Sequence, residues 1–340
     1  MVTRIRRLSR CGGAALTVLL VASMLVLAAG PAVAAPGQLQ ARRPLYYLSL
    51  GDSLSRGVQP DAAGQNHPTD QGYADDLAKA GRLVLPQLQL VKLGCETEET
   101  TTSMINGGKC TYANGPAPNG AQLGEAEAFL RAHRGSTVLV TVDIGANDLS
   151  RCINRATGTI DLACVHTTFA QVPGNLRSIL ERLRAAAGPR VPIIGMNYYS
   201  PFLAAWPQGP VGQALARQAT ELVVQYNDLL EGVYQAAGMP VANVQDAFST
   251  TNFDTLVTLP GVGPVPLNVA RICQWTWMCV PPPMGPNIHA RPEGYWVIAG
   301  AFLVALAEAS LPSGNPLTSR SAALLTSARD HLRDQATPPR

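Results

Sequence analysis

The chain has 340 residues, 46% of them hydrophobic and 14% charged, with a formal net charge of +3. That balance excludes a disordered polyelectrolyte and supplies enough apolar material for one substantial core. The positive excess lies in Arg4, Arg6, Arg7 and Arg10, whose removal takes the net charge from +3 to −1, so no basic surface for nucleic acid remains.

Those arginines open a stretch that reads as an export signal. An apolar run from Ala14 to about Ala29 follows them, and Ala32-Val33-Ala34 offers a small-x-small cleavage site, which assigns residues 1–34 to a signal peptide and the mature protein to the extracellular space. The run is short for a span and ends in a processing site, so no stable membrane span is expected after cleavage. Cys11 precedes the run, whereas a lipid-modified cysteine would follow it.

From residue 42 to residue 311, apolar runs alternate with helix-period segments, the signature of β-α-β units in one domain built on a parallel sheet. The predicted strands are Leu45 to Leu50, Leu88 to Leu93, Thr137 to Ile144, Val191 to Asn197 and Pro240 to Val244. Helices are predicted over Gln122 to His133, Val172 to Ala187, Val211 to Ala237 and Pro292 to Leu311, with core-facing stripes such as Leu176, Ile179, Leu180 and Leu183. Residues 312–340, with Ser319 to Gln335 mildly helical and basic, read as a loosely ordered tail.

Without Cys11, six cysteines remain, and in an exported chain they suggest three disulfides. They fall into local couples, Cys95 with Cys110, Cys152 with Cys164 and Cys273 with Cys279. No C-x-x-C pair or histidine cluster supports a metal site, so none is expected.

In open parallel sheets the ligand sits beyond the carboxyl ends of the strands, so the polar residues there carry the functional signal. Gly51-Asp52-Ser53-Leu54-Ser55 follows the first strand and presents Ser53 where a nucleophile would stand, although the same serine could cap a following helix. Ser55 in place of glycine leaves the α/β-hydrolase nucleophile elbow unmatched. A serine hydroxyl needs a base. Of five histidines, His331 lies in the tail, His133 at a helix end, His166 in a cysteine loop and His67 in a surface loop. His289, after the last strand and before the final helix, is the candidate base. Gly145-Ala146-Asn147-Asp148 ends the third strand, and the Asn147 amide could donate to a developing oxyanion.

Together the three blocks resemble the GDSL or SGNH hydrolase family. Gly51-Asp52-Ser53-Leu54 is similar to its nucleophile block, Gly145-Ala146-Asn147-Asp148 to its G-x-N-D block, and His289 followed by Gly294-Tyr295 to its histidine block. The resemblance implies an α/β, three-layer, flavodoxin-like SGNH-hydrolase fold with a central, mostly parallel five-stranded sheet. It also implies ester hydrolysis through an acyl-enzyme, no cofactor, and an oxyanion hole formed by Asn147 and the Ser53 backbone.

Two positions depart from the family pattern. The family glycine after the second strand is replaced within Gly94-Cys95-Glu96-Thr97-Glu98-Glu99-Thr100, which leaves the second backbone donor open between Glu98 and Gly94. Three residues before the histidine, where many members carry aspartate, stands Pro286, whose carbonyl could still accept the imidazole N–H and hold a Ser-His dyad. Asp254 is the carboxylate to weigh against that dyad.

The resulting expectation is a secreted, monomeric serine esterase or lipase acting on a small-molecule or lipid ester. Two alternatives are an acetyl-esterase on cell-wall or plant carbohydrate, with Trp275, Trp277 and Trp296 as stacking or pocket residues, and a catalytically impaired binding protein on the same scaffold.

Overall fold

The computed structural model describes residues 43–154 and 159–309. The proposed signal peptide 1–34, the tail 312–340 and the predicted end of the last helix at Leu311 lie outside the described residues.

In chain order the strands are β1 (Leu45–Gly51), β2 (Gln59–Pro60), β3 (Asn66–His67), β4 (Leu88–Lys92), β5 (Thr137–Asp143), β6 (Ile153–Asn154), β7 (Thr159–Ile160), β8 (Ile193–Met196), β9 (Val241–Ala242), β10 (Leu256–Leu259) and β11 (Gly263–Pro266). Five of them form one sheet in the order β4-β1-β5-β8-β9, all parallel, and the other six pair as three short antiparallel hairpins. The chain leaves β1 to one side for β4 and then continues to the other side from β5. The switch point of the sheet therefore falls at the carboxyl ends of β1 and β5, where a parallel sheet opens a crevice for ligands.

Helices α1 (Tyr73–Arg82), α2 (Thr101–Asn106), α3 (Gln122–Ala132), α4 (Ala146–Ser150), α5 (Leu162–Ala187), α6 (Pro210–Ala236), α7 (Val244–Ala247), α8 (Leu267–Trp275) and α9 (Pro292–Ala309) connect the strands and cover the sheet. α1 packs on α9 and on β4, with Tyr73 stacked on Phe302 at a centroid distance of 4.8 Å, while α5 lies between α3 and α6. The α/β architecture with a central parallel sheet is as expected from the alternating pattern, and the sheet is wholly parallel. None of the described helices is long and apolar enough to cross a membrane.

The largest departure from the predicted elements is α5, which begins ten residues before the expected Val172 and carries Pro173 inside it. Its first turns are mostly solvated, Leu162 being 75% exposed, so no apolar stripe marks them in the sequence. What starts the helix there is Asp161, whose carboxylate accepts the Cys164 N–H at 3.0 Å. The strands β8 and β9 are shorter than predicted: beyond β8 the Tyr198 N–H donates to Asn227 Oδ1 at 3.0 Å, and beyond β9 Asn243 caps α7.

Gly195, inside β8, allows the ring of Tyr234 to lie directly on the strand, since a Cβ there would stand 2.3 Å from the ring. Overpacking of that kind costs about 1–3 kcal/mol. Gly195→Ala is accordingly expected to lower the urea unfolding free energy by that amount, and an unchanged midpoint would contradict the packing described.

Candidate active site

Gly51 ends β1 at a φ of 136°, and a Cβ there would stand 1.6 Å from Asp143 Oδ1 on the adjacent strand. Glycine is required on both counts. Its peptide is gripped by Gln122 at the start of α3, whose Oε1 accepts the Gly51 N–H at 2.7 Å and whose Nε2 donates to the Gly51 carbonyl at 2.9 Å. The turn that follows is closed by Leu54 N–H donating to Asp52 Oδ1 at 2.9 Å and Ser55 Oγ donating to the Asp52 carbonyl at 2.6 Å. Ser53 is held at its apex, 8% exposed. Among the described residues no acceptor takes its backbone N–H.

His289 Nε2 lies 2.8 Å from Ser53 Oγ, across 236 residues of chain. The histidine segment is clamped to the segment after α8. Trp277 N–H donates to the His289 carbonyl at 3.0 Å, Asn287 N–H to the Trp277 carbonyl at 3.1 Å and Arg291 N–H to the Trp275 carbonyl at 2.8 Å. The atom against Nδ1 is Asn287 Oδ1 at 2.6 Å. Pro286, whose carbonyl was expected there, is exposed, and the acceptor found at Nδ1 is the Asn287 amide oxygen. Asp254 is exposed on the chain leading into β10 and is not the acceptor at Nδ1.

Asn147, in the first turn of α4, lines the same cavity as Ser53 and His289. Its Nδ2 donates to the Glu99 carbonyl at 2.9 Å and faces Asp52 Oδ2 at 3.5 Å. Its neighbour Asp148 accepts from the Thr101 N–H and hydroxyl, each at 2.8 Å. The N-D block thus joins the loop between β4 and α2 to the turn that carries Ser53. The Glu98 side chain is 75% exposed and pairs with Lys109 at 3.2 Å, so any part Glu98 plays at the site falls to its backbone N–H. Its φ is not positive, and Gly94 packs against Ser55 instead of lining the cavity.

The cysteine couples are joined as 95 with 110, 152 with 164 and 273 with 279. Each brackets a loop beside one of these blocks. The cavity itself is walled by Leu149, Ile153, Tyr198, Tyr199, Phe202 and Val223, whereas Trp275, Trp277 and Trp296 do not line it. Trp275 instead packs edge-on against Phe248, and Arg291 lies over Trp277. The sequence reading missed Asn287, Gln122 and the aromatic wall. Asn287 had a local signal in its position two before His289; Gln122 had none, because its partner Gly51 is 71 residues away.

The GDSL-like Lipase/Acylhydrolase family matches residues 49–297, most of the chain and all three blocks. The chain belongs to this family. No curated protein matches it. Solved structures similar to this GDSL-like chain include an extracellular lipase from Streptomyces rimosus, at 16% identity over 78% of this chain and 99% of that one, with a TM-score of 0.47. An acetylxylan esterase from Geobacillus stearothermophilus aligns at 16% identity, 77% and 94% coverage and a TM-score of 0.44. A phospholipase A1 from Streptomyces albidoflavus NA297 aligns at 20% identity, 67% and 94% coverage and a TM-score of 0.41.

Behind Ser53 of this family member stand four buried acids. Burial pushes Asp52 up to about 7, with the Leu54 N–H opposing and the charge of Asp148 adding to the rise. Burial likewise pushes Glu99 up to about 7, against the bond from Ser103, and raises Asp143 and Asp148. For acids raised in the folded state, the native protein holds more protons than the unfolded chain, so stability falls as pH rises from about 4, where unfolded carboxyls ionise, through about 7. Asp52→Asn keeps the acceptor for Leu54 and removes one of these groups. Urea unfolding between pH 4 and pH 8 is expected to show a flatter decline in the variant; an identical slope would refute the assignment.

Proposed function

We propose that this protein is a secreted serine ester hydrolase in which Ser53 is the nucleophile, His289 the general base and Asn147, with the Ser53 N–H, the oxyanion hole. The 2.8 Å approach of His289 Nε2 to Ser53 Oγ carries this reading, because it is the contact that makes a neutral hydroxyl nucleophilic. Family membership supplies the ester bond as the target. Three disulfides support an oxidising, extracellular compartment.

In the acylation step Ser53 Oγ attacks the ester carbonyl carbon while Nε2 takes the hydroxyl proton. The carbonyl oxygen becomes an oxyanion facing the Ser53 N–H and the Asn147 amide, whose Nδ2 keeps its bond to the Glu99 carbonyl and turns to the oxyanion the hydrogen that has only the 3.5 Å contact with Asp52, a donor being worth ~3 kcal/mol in such a place. The intermediate collapses, the alkoxide leaves with the proton from His289, and the acyl group stays on Oγ. Water, deprotonated by the same imidazole, then attacks the acyl-enzyme and releases the acid. The apolar walls at Leu149, Ile153, Phe202 and Val223 favour an acyl chain over a sugar ring as the group bound inside. Carbohydrate stacking loses its motive with the tryptophans outside the cavity. The assembled Ser53–His289 contact argues against an impaired scaffold.

A fluorophosphonate probe is expected to label the peptide containing Ser53, and Ser53→Ala to lose both the label and at least about 10³-fold of p-nitrophenyl butyrate hydrolysis. An adduct elsewhere would overturn the assignment. Val223→Phe is expected to narrow the cavity and shift preference from butyrate and octanoate esters toward acetate; an unchanged chain-length profile would place the acyl group elsewhere.

A further inference from the structure

We infer that Asn287 and Asn66 form a positioning pair that fixes the tautomer and aim of His289, so that the imidazole is oriented by an amide held from a neighbouring hairpin. The inference rests on the reading of Ser53 and His289 as nucleophile and base.

The proton positions follow from one backbone contact. His289 N–H lies 3.0 Å from Asn287 Oδ1, and a backbone N–H can only donate, so the atom facing it is the amide oxygen and not the amide nitrogen. The same oxygen is 2.6 Å from Nδ1. A carbonyl-type oxygen has no hydrogen to give, hence Nδ1 carries the proton. Nε2 is then bare and can accept the Ser53 hydroxyl proton at 2.8 Å. A base needs that tautomer, and here the chain enforces it without a charge.

The other end of the amide is also held. Asn287 Nδ2 donates to Asn66 Oδ1 at 2.7 Å. Asn66 belongs to the β2–β3 hairpin, whose turn is tied by Asp61 Oδ1 accepting from the N–H groups of Ala63 and Gln65, each at 2.9 Å, and by His67 Nε2 at 3.0 Å from Asp61 Oδ2. Gly64 of the turn sits so close to the Pro283 carbonyl that a Cβ would come within 2.2 Å of it. Tyr295 of α9 donates to the Val58 carbonyl at 2.8 Å, just before the hairpin. The backbone of Asn287 is clamped to Trp277, inside the loop closed by Cys273 and Cys279. The His289 N–H holds the oxygen end of the Asn287 amide, and Asn66 holds its nitrogen end, so the amide is fixed at both.

The ionisable groups on the surrounding elements are Asp52 beside the nucleophile, the Asp61–His67 pair on the hairpin and the Arg291–Glu293 pair at the start of α9. Asn66 is exposed and Asn287 half-buried. The outer hydrogen bond competes with water, so its loss is felt less than loss of the inner one.

The test uses full-length Asn287→Ala, Asn66→Ala, the double variant and Asn287→Asp, with kcat and KM for p-nitrophenyl butyrate across pH and thermal unfolding as a check on folding. Asn287→Ala is expected to lower kcat about 10- to 100-fold, a usual cost of a misaimed catalytic group, with KM nearly unchanged. Asn66→Ala is expected to lose less, and the double variant to be no worse than Asn287→Ala, because both act through one ring. Asn287→Asp should recover most of kcat and move the acid limb of the kcat/KM profile upward, since a carboxylate at Nδ1 favours the protonated imidazole. Wild-type kcat in Asn287→Ala, additive losses in the double variant, or an unmoved acid limb in Asn287→Asp would each overturn the inference. Full activity in Ser53→Ala would instead overturn the reading beneath it.

Discussion

The carboxyl end of β1 is held by a peptide that tolerates no side chain and no rotation. Gly51 has Asp143 in the space a Cβ would need, Gln122 bonded to both its N–H and its carbonyl, and Cys95 N–H donating to the same carbonyl at 3.0 Å. Asp52 N–H then donates to the Asp143 carbonyl at 3.1 Å, carrying the lock one residue further. Strand β1, the loop after β4, strand β5 and helix α3 thus meet at one peptide. The direction in which Ser53 leaves the sheet is set there, and the cavity walls and the histidine segment are built around that direction.

Burying so many polar groups beside Ser53 has an electrostatic consequence. Asp52 and Glu99 are pushed up to about 7, and Asp143 and Asp148 are raised as well, burial being the leading cause in each. If these carboxyls were all ionised, their charge would oppose the negative charge that develops on a substrate carbonyl oxygen. Burial, by raising these acids, lessens that opposition at a given pH, while their oxygens still organise the loops: Asp148 orders Thr101, and Asp52 closes the turn over Leu54. The rigidity of the site is gained through groups that reduce stability when they ionise, an exchange common at sites that must be preorganised.

His289 is arranged on a different principle from the buried acids. Its backbone is paired with the Trp277 segment, and its ring faces a neutral amide. An amide dipole can orient the ring but, carrying no net charge, stabilises a protonated imidazole less than a carboxylate would.

The strands of the main sheet, the helical stripes and the three motif blocks were legible in the chain because each depends on local periodicity or on a few adjacent residues. Leu45 to Gly51 reads as a buried strand from its apolar run alone, and Gly51-Asp52-Ser53 and Gly145-Ala146-Asn147-Asp148 announce themselves by following such runs. The cysteine couples were legible for the same reason, their separations being 15, 12 and 6 residues. Only the tertiary structure decided which residues complete the site. Gln122 reaches Gly51 from 71 residues away, Asn66 reaches Asn287 from 221, and the aromatic wall comes from the turn after β8 rather than from the tryptophans near His289. Sequence patterns record what neighbours along the chain must be, whereas the orientation of a side chain at the switch point is set by packing between elements that have no common local signal.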